Sequence, residues 1–298
     1  MQTTQYEMEV GSVRANDVLF HYIAMGRGRL LLCLHGFPDH ALSFRHQLRF
    51  FSALGYRVVA PFMRGYAPTQ LAEDATFYTA DLAHDVVELL RSFGATRATL
   101  LGHDWGAHAA YGAAVLAPEM FDRIVTLAVP YGPGLRKALV TSSEQQKRSW
   151  YLFFFLTRFA ETALAYDDYA LVEQLWSDWS PGWTPPPSEM AAIRATFALP
   201  GVASAALSYY RHALGTTVSL GKHAELQRRI GIEPIRVPCF YLHGDQDGCI
   251  GHSVASDMQE LFPNGFGHRL VRGVGHFLHL ERPDEVNAMI ATCLAGDG

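Results

Sequence analysis

The sequence predicts an α/β fold, in which a mostly parallel sheet is flanked by helices and carries an inserted helical cap. Two observations indicate this fold. Short β-rich runs alternate with helical patterns over residues 1–130 and again over residues 233–298. Residues 131–232 lie between them, have no clear buried strand and are rich in aromatic residues and alanine. We therefore expect residues 1–130 and 233–298 to form one core and residues 131–232 to form the cap.

The first core segment opens with two strands and then alternates strands with helices. Residues 30–34 form a continuous apolar run, as expected of a strand that is buried on both faces. Apolar residues repeat at helical spacing between Leu82 and Phe93. The other predicted strands are residues 6–13, 18–25, 56–60, 98–101 and 124–129, and the other predicted helices are residues 42–54 and 105–116.

After the cap segment, which the run PGWTPPP interrupts at residues 181–187, the alternation of strands and helices resumes. The pattern predicts strands at residues 239–243 and 268–271, and helices at residues 252–262 and 283–294. The closing segment therefore completes the same sheet rather than starting a second one.

Composition narrows the function classes. The chain has 298 residues, of which 49% are hydrophobic and 18% charged, and its net charge is −5. Without a basic cluster, neither nucleic acid nor a membrane surface is an expected partner. Four scattered cysteines predict reduced thiols, and the N-terminus lacks a signal-peptide pattern, so we expect a cytoplasmic protein.

The strongest local signal is the sequence GHDWG, which places Asp104 between a predicted buried strand and a predicted helix. A sharp strand-to-helix turn pushes its central side chain out above the sheet, and Gly102 and Gly106 relieve the crowding on either side. The free N–H groups of the following helix help to keep the carboxylate ionised. A plain helix-capping Asp is the alternative, but the rest of the chain favours a nucleophile.

A second loop, HGFP at residues 35–38, directly follows the predicted strand at residues 30–34. In such a fold this loop faces the turn at Asp104. The backbone N–H groups of Phe37 and Trp105 are then placed to form an oxyanion hole. Pro38 fixes the loop, and we expect the peptide bond before it to be cis.

The third signal is an Asp followed by a His, each in a loop after a late strand. Asp247 and His276 follow Asp104 in the chain order expected of a nucleophile, an acid and a base. We favour Asp247 over Asp245 as the partner of His276, because it lies deeper in its loop. His279 is the competing base, although its leucine neighbours indicate a helix face.

These motifs together resemble the α/β-hydrolase fold family, and within it the epoxide hydrolases and haloalkane dehalogenases. The resemblance spans nearly the whole chain through HGFPDH (residues 35–40), RGYAPT (64–69), GHDWGA (102–107) and GVGHFLHLERPDEVN (273–287). Ala67 replaces the glycine that the family usually has in the second of these motifs. The resemblance implies that Asp104 attacks the substrate and forms an ester, which water activated by His276 and Asp247 then hydrolyses.

The resemblance also assigns two cap tyrosines that hold and protonate the epoxide oxygen. LSYYR at residues 207–211 places one of these roles on Tyr210. WYLFFF at residues 150–155 places the other on Tyr151, although a shift of one residue would bring Trp150 there instead. A Trp N–H cannot usefully give up a proton, so that choice decides whether Tyr210 acts alone.

An epoxide hydrolase without metal or organic cofactor is the function that these residues predict. We expect a small apolar epoxide or halogenated substrate, and a monomer or homodimer. The residues expected to line the substrate pocket are His35, Pro38, Trp150, Phe154 and Phe277. A haloalkane or haloacid dehalogenase with the same triad is the main alternative, although no Arg follows the nucleophile to bind a haloacid carboxylate. A non-catalytic ligand-binding member of the family is a weaker alternative.

Overall fold

The computed structural model describes residues 7–72, 75–215 and 221–296. Its eight-stranded sheet has the strand order β1-β2-β4-β3-β5-β6-β7-β8. Strand β2 pairs antiparallel with both β1 and β4, and the remaining pairs are parallel. The strands are β1 (Glu9–Ala15), β2 (Val18–Met25), β3 (Arg29–Leu34), β4 (Tyr56–Pro61), β5 (Ala98–His103), β6 (Phe121–Leu127), β7 (Cys239–Gly244) and β8 (Phe266–Val271).

Helices cover both faces of the sheet and fill the segment between β6 and β7. They are α1 (Arg45–Ala53), α2 (Thr79–Ser92), α3 (Trp105–Leu116), α4 (Gly134–Thr141), α5 (Ser143–Arg148), α6 (Trp150–Phe154), α7 (Ala160–Trp179), α8 (Pro187–Phe197), α9 (Val202–Leu214), α10 (Ala224–Arg229), α11 (Leu278–Glu281) and α12 (Pro283–Ala295). Left-handed backbone at residues 167–169 interrupts α7.

The central strands are buried on both faces because successive side chains point to opposite sides. In β3, Leu31 and Cys33 pack with the core that α1 and α12 cover. Leu30, Leu32 and Leu34 pack with the core that α2 and α3 cover. This arrangement explains why residues 30–34 read as a continuous apolar run, and it confirms the α/β fold that the sequence predicts.

Two predicted helices differ in detail from the structure. Residues 252–262 form two short 3₁₀ helices, His252–Ala255 and Met258–Leu261, instead of one α-helix. The Ser256 hydroxyl donates to Asp257 between them, and such short polar side chains compete with helical hydrogen bonds. The predicted helix at residues 42–54 begins as a 3₁₀ turn and becomes α-helical at Arg45.

The segment from residue 131 to residue 232 contains only helices and loops in the part of it that the structure describes. Residues 1–6, 216–220 and 297–298, which the predicted core and cap segments include, lie outside the described residues, as does the start of the first predicted strand. No single described helix is long and apolar enough to cross a membrane. Helices α8 and α9 together meet that length and composition, but they are bent by 83°.

The loop between β4 and α2 joins several parts of the fold through Arg64. Its guanidinium makes two hydrogen bonds to the Asp85 carboxylate, with N···O distances of 2.7 and 2.5 Å. Asn16, in the turn between β1 and β2, donates to the same carboxylate. The Arg64 carbonyl accepts a hydrogen bond from the Tyr209 hydroxyl of α9. The ion pair therefore fixes a loop that contacts the hairpin, α2 and the cap.

We expect Arg64→Met to destabilise the protein by about 3–5 kcal/mol, because it leaves the Asp85 charge buried without its partner. The side chains of this pair are only 10% and 5% exposed. Arg91→Met is the matched control, since the Arg91–Glu88 pair is 57% and 35% exposed and its loss costs less than about 1 kcal/mol. Urea unfolding measures both free energies, and equal losses would contradict the role given to Arg64.

Candidate active site

Asp104 lies at the turn between the end of β5 and the start of α3, with φ 51° and ψ −119°. A non-glycine residue rarely adopts this backbone conformation, and such strain persists only when the surroundings enforce it. The turn lifts the side chain above the carboxyl edge of the sheet. The carboxylate there is buried, with the whole residue 6% exposed.

Two glycines make this turn sterically possible. A Cβ on Gly102 would lie 2.3 Å from the Gly106 carbonyl oxygen, and a Cβ on Gly106 would lie 1.8 Å from the carbonyl oxygen of Leu34. Neither position has room for a side chain, since the backbone of α3 obstructs the first and the backbone at the end of β3 obstructs the second. These short distances explain why glycine is needed on both sides of Asp104, as the sequence predicts.

The loop after β3 presents its amides to the same carboxylate. The Phe37 N–H donates to Asp104 Oδ1 at 2.7 Å. Trp105 is the first residue of α3, where a backbone N–H has no partner within the helix. A Cβ on Gly36 would lie 2.6 Å from the Trp105 nitrogen, so only glycine lets the loop come this close. Of the two amides predicted for an oxyanion hole, that of Phe37 donates to Asp104, and that of Trp105 lies beside the same loop.

His35 supports this loop from behind. Its Nδ1 lies 3.1 Å from the Gly36 carbonyl oxygen, and its Nε2 accepts from the Met63 N–H at 3.0 Å. Burial lowers the pKa of His35 to about 3, so the imidazole is neutral, as this pair of hydrogen bonds requires. The Phe37–Pro38 peptide bond is cis, as the sequence predicts.

His276 lies between two carboxylates. Its Nδ1 is 2.9 Å from Asp247 Oδ2, and its Nε2 is 3.6 Å from Asp104 Oδ2. The other oxygen of Asp247 accepts the N–H groups of Cys249 and Ile250. The structure thus brings together the three residues that the sequence predicts as nucleophile, acid and base.

The competing residues have other positions. Asp245 accepts a hydrogen bond from the Gly273 N–H at 2.7 Å, as expected of a residue that stabilises a turn. His279 lies on α11 and is fully buried, with its ring stacked on Phe44. Neither side chain contacts Asp104 in the hydrogen bonds and ion pairs of the described residues.

The charges of this site stabilise one another. Burial raises the pKa of Asp104 and of Asp247, but His276 and their other hydrogen-bond partners outweigh burial and hold both pKa values below the usual range. Burial lowers the pKa of His276, but its acidic neighbours Cys249, Asp247 and Asp104 hold that pKa well above its usual value. The resting site therefore contains an imidazolium between two carboxylates.

The end of α7 holds both catalytic loops in place. The Trp179 carbonyl accepts N–H groups from Gly248 and from His276, each at 3.0 Å. The Ser180 hydroxyl donates to Glu281 at 2.6 Å and accepts from the N–H of Phe277. Trp179 and Ser180 thereby fix the loops that carry Asp247 and His276, which no side-chain motif in the sequence reveals.

Two tyrosines of the helical segment, Tyr151 and Tyr210, line the same cavity as Asp104. Tyr210 packs edge-on against the rings of Phe37 and Trp105, and its hydroxyl has no hydrogen-bond partner among the described residues. The Tyr151 hydroxyl lies 3.1 Å from Cys249 Sγ, and its ring meets that of Tyr210 at 5.8 Å. Burial raises the pKa of both phenols well above the usual value, with Asp104 adding to the effect, so both hydroxyls keep their protons.

Trp150, the sequence alternative to Tyr151, is directed away from the site. It is 40% exposed and packs on Phe154, whereas Tyr151 is only 3% exposed. The two residues are consecutive on α6, so they point in directions about 100° apart. Because only one of them can face the core, the helix places the tyrosine there.

A cavity of about 390 Å³ reaches Asp104, with walls from both the core and the cap. Its main wall residues are Thr79, Asp104, Trp105, His108, Val129, Tyr131, Pro133, Leu135, Arg136, Leu139, Tyr151, Leu152, Tyr210, Leu214, Gln227, Ile230, Ile232 and Ile250. The wall is mostly apolar with few polar groups, as in other small-molecule sites.

The five residues predicted to line the pocket lie elsewhere, which corrects that expectation. His35 and Phe277 are completely buried, and Phe277 stacks on Trp176. The Pro38 carbonyl accepts a hydrogen bond from the Trp176 indole, so this proline is behind the oxyanion loop. Trp150 and Phe154 lie on the outer side of α6. Proximity in sequence to a catalytic motif did not reveal which side of each loop faces the cavity.

Sequence reasoning missed several wall residues, of which His108 is the most informative. It lies four residues after Asp104 and therefore on the same face of α3, one turn further along. That spacing is a signal in the sequence itself. Burial lowers the pKa of His108, so it presents a neutral imidazole to the cavity. Cys249, whose Sγ lies 3.1 Å from the Tyr151 hydroxyl, has no spacing or motif in the sequence that would predict this contact.

Two buried groups have donor atoms close enough to hold a metal ion. One is Asp247, Cys249 and His276, where the acid and the base already bind each other. The other is Asp39, His103 and His279. Burial raises the pKa of Asp39 to about 8 and lowers that of His103 to about 3, so this second group is uncharged near neutral pH. It therefore does not provide the negative charge that favours a cation.

Known proteins resemble this chain along nearly its whole length. The sequence profile of the alpha/beta hydrolase fold matches residues 29–283. Epoxide hydrolase 4 of Mus musculus is 30% identical over 93% of this chain and 77% of its own length. A putative epoxide hydrolase from Klebsiella pneumoniae superposes with a TM-score of 0.87 at 25% identity, covering 95% of this chain and 96% of its own. An inhibitor-bound epoxide hydrolase from Bacillus megaterium has a TM-score of 0.82 at 26% identity, covering 96% of this chain and 100% of its own.

We expect Asp104→Asn to lower the pKa of His276, because the substitution removes one of the carboxylates that stabilise the imidazolium. NMR titration of the labelled imidazole measures the change. Asp122→Asn, which removes a partly buried carboxylate paired with Arg29 and Arg97 outside this site, should leave the His276 pKa unaltered. An unchanged His276 pKa in Asp104→Asn would refute the electrostatic coupling.

Proposed function

From the premise that this chain belongs to the α/β-hydrolase fold family, and to the epoxide hydrolases within it, we propose that it opens an epoxide to a vicinal diol. One observation carries the proposal. The buried, protonated hydroxyls of Tyr151 and Tyr210 and the ionised carboxylate of Asp104 share one cavity. A nucleophile opposite two proton donors suits a strained ring whose carbon is attacked while its oxygen is protonated.

In the first step, an Asp104 oxygen attacks an epoxide carbon and the ring C–O bond breaks. Tyr210 and Tyr151 hydrogen-bond the epoxide oxygen, and a tyrosine proton passes to the alkoxide as it forms. The imidazolium of His276 is the proton source that restores the phenol. The step ends with a covalent ester on Asp104 and a neutral His276.

In the second step, His276 takes a proton from a water molecule that attacks the ester carbonyl carbon of Asp104. Esterification has removed the Asp104 charge, which lowers the pKa of His276 and favours its neutral form, while Asp247 still orients the ring and stabilises the imidazolium as it forms. The Phe37 and Trp105 amides stabilise the tetrahedral oxyanion, and each such donor contributes about 3–4 kcal/mol in other enzymes. Collapse breaks the ester C–O bond, and the leaving alkoxide takes the proton of the carboxylic acid formed on Asp104. The diol is thereby released, and the Asp104 carboxylate and the His276 imidazolium are restored.

Residues 131–232 act in this proposal as a cap over the active site. The cavity has walls from both segments, with Asp104 and Trp105 from the core and Tyr151 and Tyr210 from the helical segment. The substrate is therefore enclosed between them, where water has restricted access and electrostatic interactions are stronger. A cytoplasmic location and a monomeric or homodimeric state stay predictions from the sequence.

Replacing His276 with Gln should trap the ester, since alkylation of Asp104 needs no base whereas its hydrolysis does. After incubation with an epoxide such as styrene oxide, mass spectrometry should find the added mass on the peptide that contains Asp104. The same experiment with Asp104→Asn should give no adduct on that peptide. If the wild type forms diol but His276→Gln gives no adduct on the Asp104 peptide, the covalent mechanism is wrong.

Tyr210→Phe should slow ester formation at least tenfold and leave ester hydrolysis nearly unchanged, because the phenol protonates only the opening ring. Rapid-mixing measurements of single turnovers separate the two rates. Tyr209→Phe is the matched control on the same helix, since the Tyr209 hydroxyl is already bound to the Arg64 carbonyl. Equal slowing of both steps in Tyr210→Phe would argue against a proton-donor role.

A further inference from the structure

The thiol of Cys249 lies next to two groups that exchange a proton in the proposed mechanism. Its Sγ is 3.1 Å from the Tyr151 hydroxyl oxygen and within 4.8 Å of a ring nitrogen of His276. None of the three residues is more than 3% exposed, so bulk water has little access to them. A thiol can both donate and accept a hydrogen bond, so Cys249 is suited to link the phenol to the base.

The backbone of Cys249 is held on both sides. Its N–H donates to Asp247 Oδ1 at 2.7 Å, and its carbonyl accepts from the Gln145 side-chain amide at 3.0 Å. The oxygen of the same Gln145 amide accepts the Gly251 N–H at 2.9 Å. Gln145 belongs to α5, which directly precedes the helix that carries Tyr151. The position of the thiol relative to the phenol is therefore fixed by polar contacts.

The hydrogen bond between the thiol and the phenol has two possible directions, and only one of them suits ring opening. Burial outweighs the nearby His276 and raises the pKa of the Cys249 thiol, so the thiol keeps its proton at rest. If the S–H donates to the phenol oxygen, the single proton of the Tyr151 hydroxyl can point into the cavity that contains Asp104. That is where the epoxide oxygen has to be protonated.

His276 is placed to supply a replacement proton. Asp247 holds its Nδ1 at 2.9 Å, whereas its buried Nε2 has no hydrogen-bond partner among the described residues. At rest Nε2 lies 3.6 Å from Asp104 Oδ2, and esterification of Asp104 removes the charge that attracts it there. The proton of Nε2 is then free to leave for another buried acceptor.

We propose, on the basis of the epoxide hydrolase activity proposed above, that Cys249 directs the Tyr151 proton into the cavity and then relays a replacement proton from His276. After the Tyr151 O–H gives its proton to the opening epoxide oxygen, the S–H proton moves to the phenolate oxygen. The His276 imidazolium gives its proton to the resulting thiolate. The thiol and the phenol are thereby restored, and His276 becomes the neutral base that ester hydrolysis needs.

Cys249 is a positioning residue in this proposal, because it is completely buried and acts through Tyr151. Infrared spectroscopy of the resting protein tests the direction of its hydrogen bond without catalysis. The difference between the wild-type and Cys249→Ala spectra identifies its S–H stretching band. Tyr151→Phe should shift that band to higher frequency, since it removes the acceptor of the S–H group. An unshifted band would overturn the proposal.

Single turnovers of an aliphatic epoxide such as cyclohexene oxide test the relay. In Cys249→Ala, ultraviolet absorbance should show tyrosinate that persists after ring opening, and ester hydrolysis should slow about tenfold because His276 loses its proton late. Cys249→Ser should restore most of the rate, since a hydroxyl also donates and accepts. Cys249→Val should keep the defect although it fills more of the space.

Cys239→Ala is the matched control, because it removes a second buried thiol whose Sγ lies beside Thr126 rather than Tyr151. It should have wild-type rates and no tyrosinate signal.

The relay is wrong if Cys249→Ala forms no persistent tyrosinate, if Cys249→Val recovers the rate, or if Cys249→Ser does not. Any of these results with continued diol formation would leave the proposed epoxide hydrolase activity intact. Absence of diol from the wild type would refute that activity and the relay with it, and the infrared shift would still decide whether the thiol donates to Tyr151.

Discussion

The strained backbone at Asp104 is the constraint on which the rest of this site depends. With φ 51° the residue projects its carboxylate above the sheet, and the conformation is possible only because Gly102 and Gly106 leave room for neighbouring carbonyl groups. Gly36 then lets the oxyanion loop approach the same carboxylate. The local strain costs on the order of 1–3 kcal/mol, and a sheet buried on both faces supplies the packing that maintains it.

The electrostatics of the site follow from that placement. A buried carboxylate is costly unless it is paired, and His276 pairs with Asp104 and with Asp247 at once. The imidazolium is therefore stable at rest, and loss of one carboxylate charge on alkylation lowers the pKa of His276 and favours the neutral imidazole that can accept a proton. The same charges that stabilise the resting state thus change in the direction that the proposed second step requires.

The helical segment of residues 131–232 does more than line the cavity. Its Trp179 carbonyl binds the loops of Asp247 and His276, and its Tyr151 and Tyr210 face the nucleophile. The positions of Asp247 and His276, and the protonation of the epoxide oxygen in the proposed mechanism, therefore depend on how this segment packs against the rest of the chain.

Local pattern was enough to predict the strand and helix alternation, the turn at Asp104 and the order of Asp247 and His276, because side-chain periodicity and glycine spacing act over a few residues. Only the tertiary structure decided what depends on contacts between distant segments. It placed Tyr151 rather than Trp150 in the cavity, put the predicted pocket residues behind the loops, and aligned the backbone carbonyl of Trp179 with the catalytic loops. These outcomes depend on the rotation of each cap helix against the core, which burial of apolar surface over the whole molecule sets and no short motif encodes.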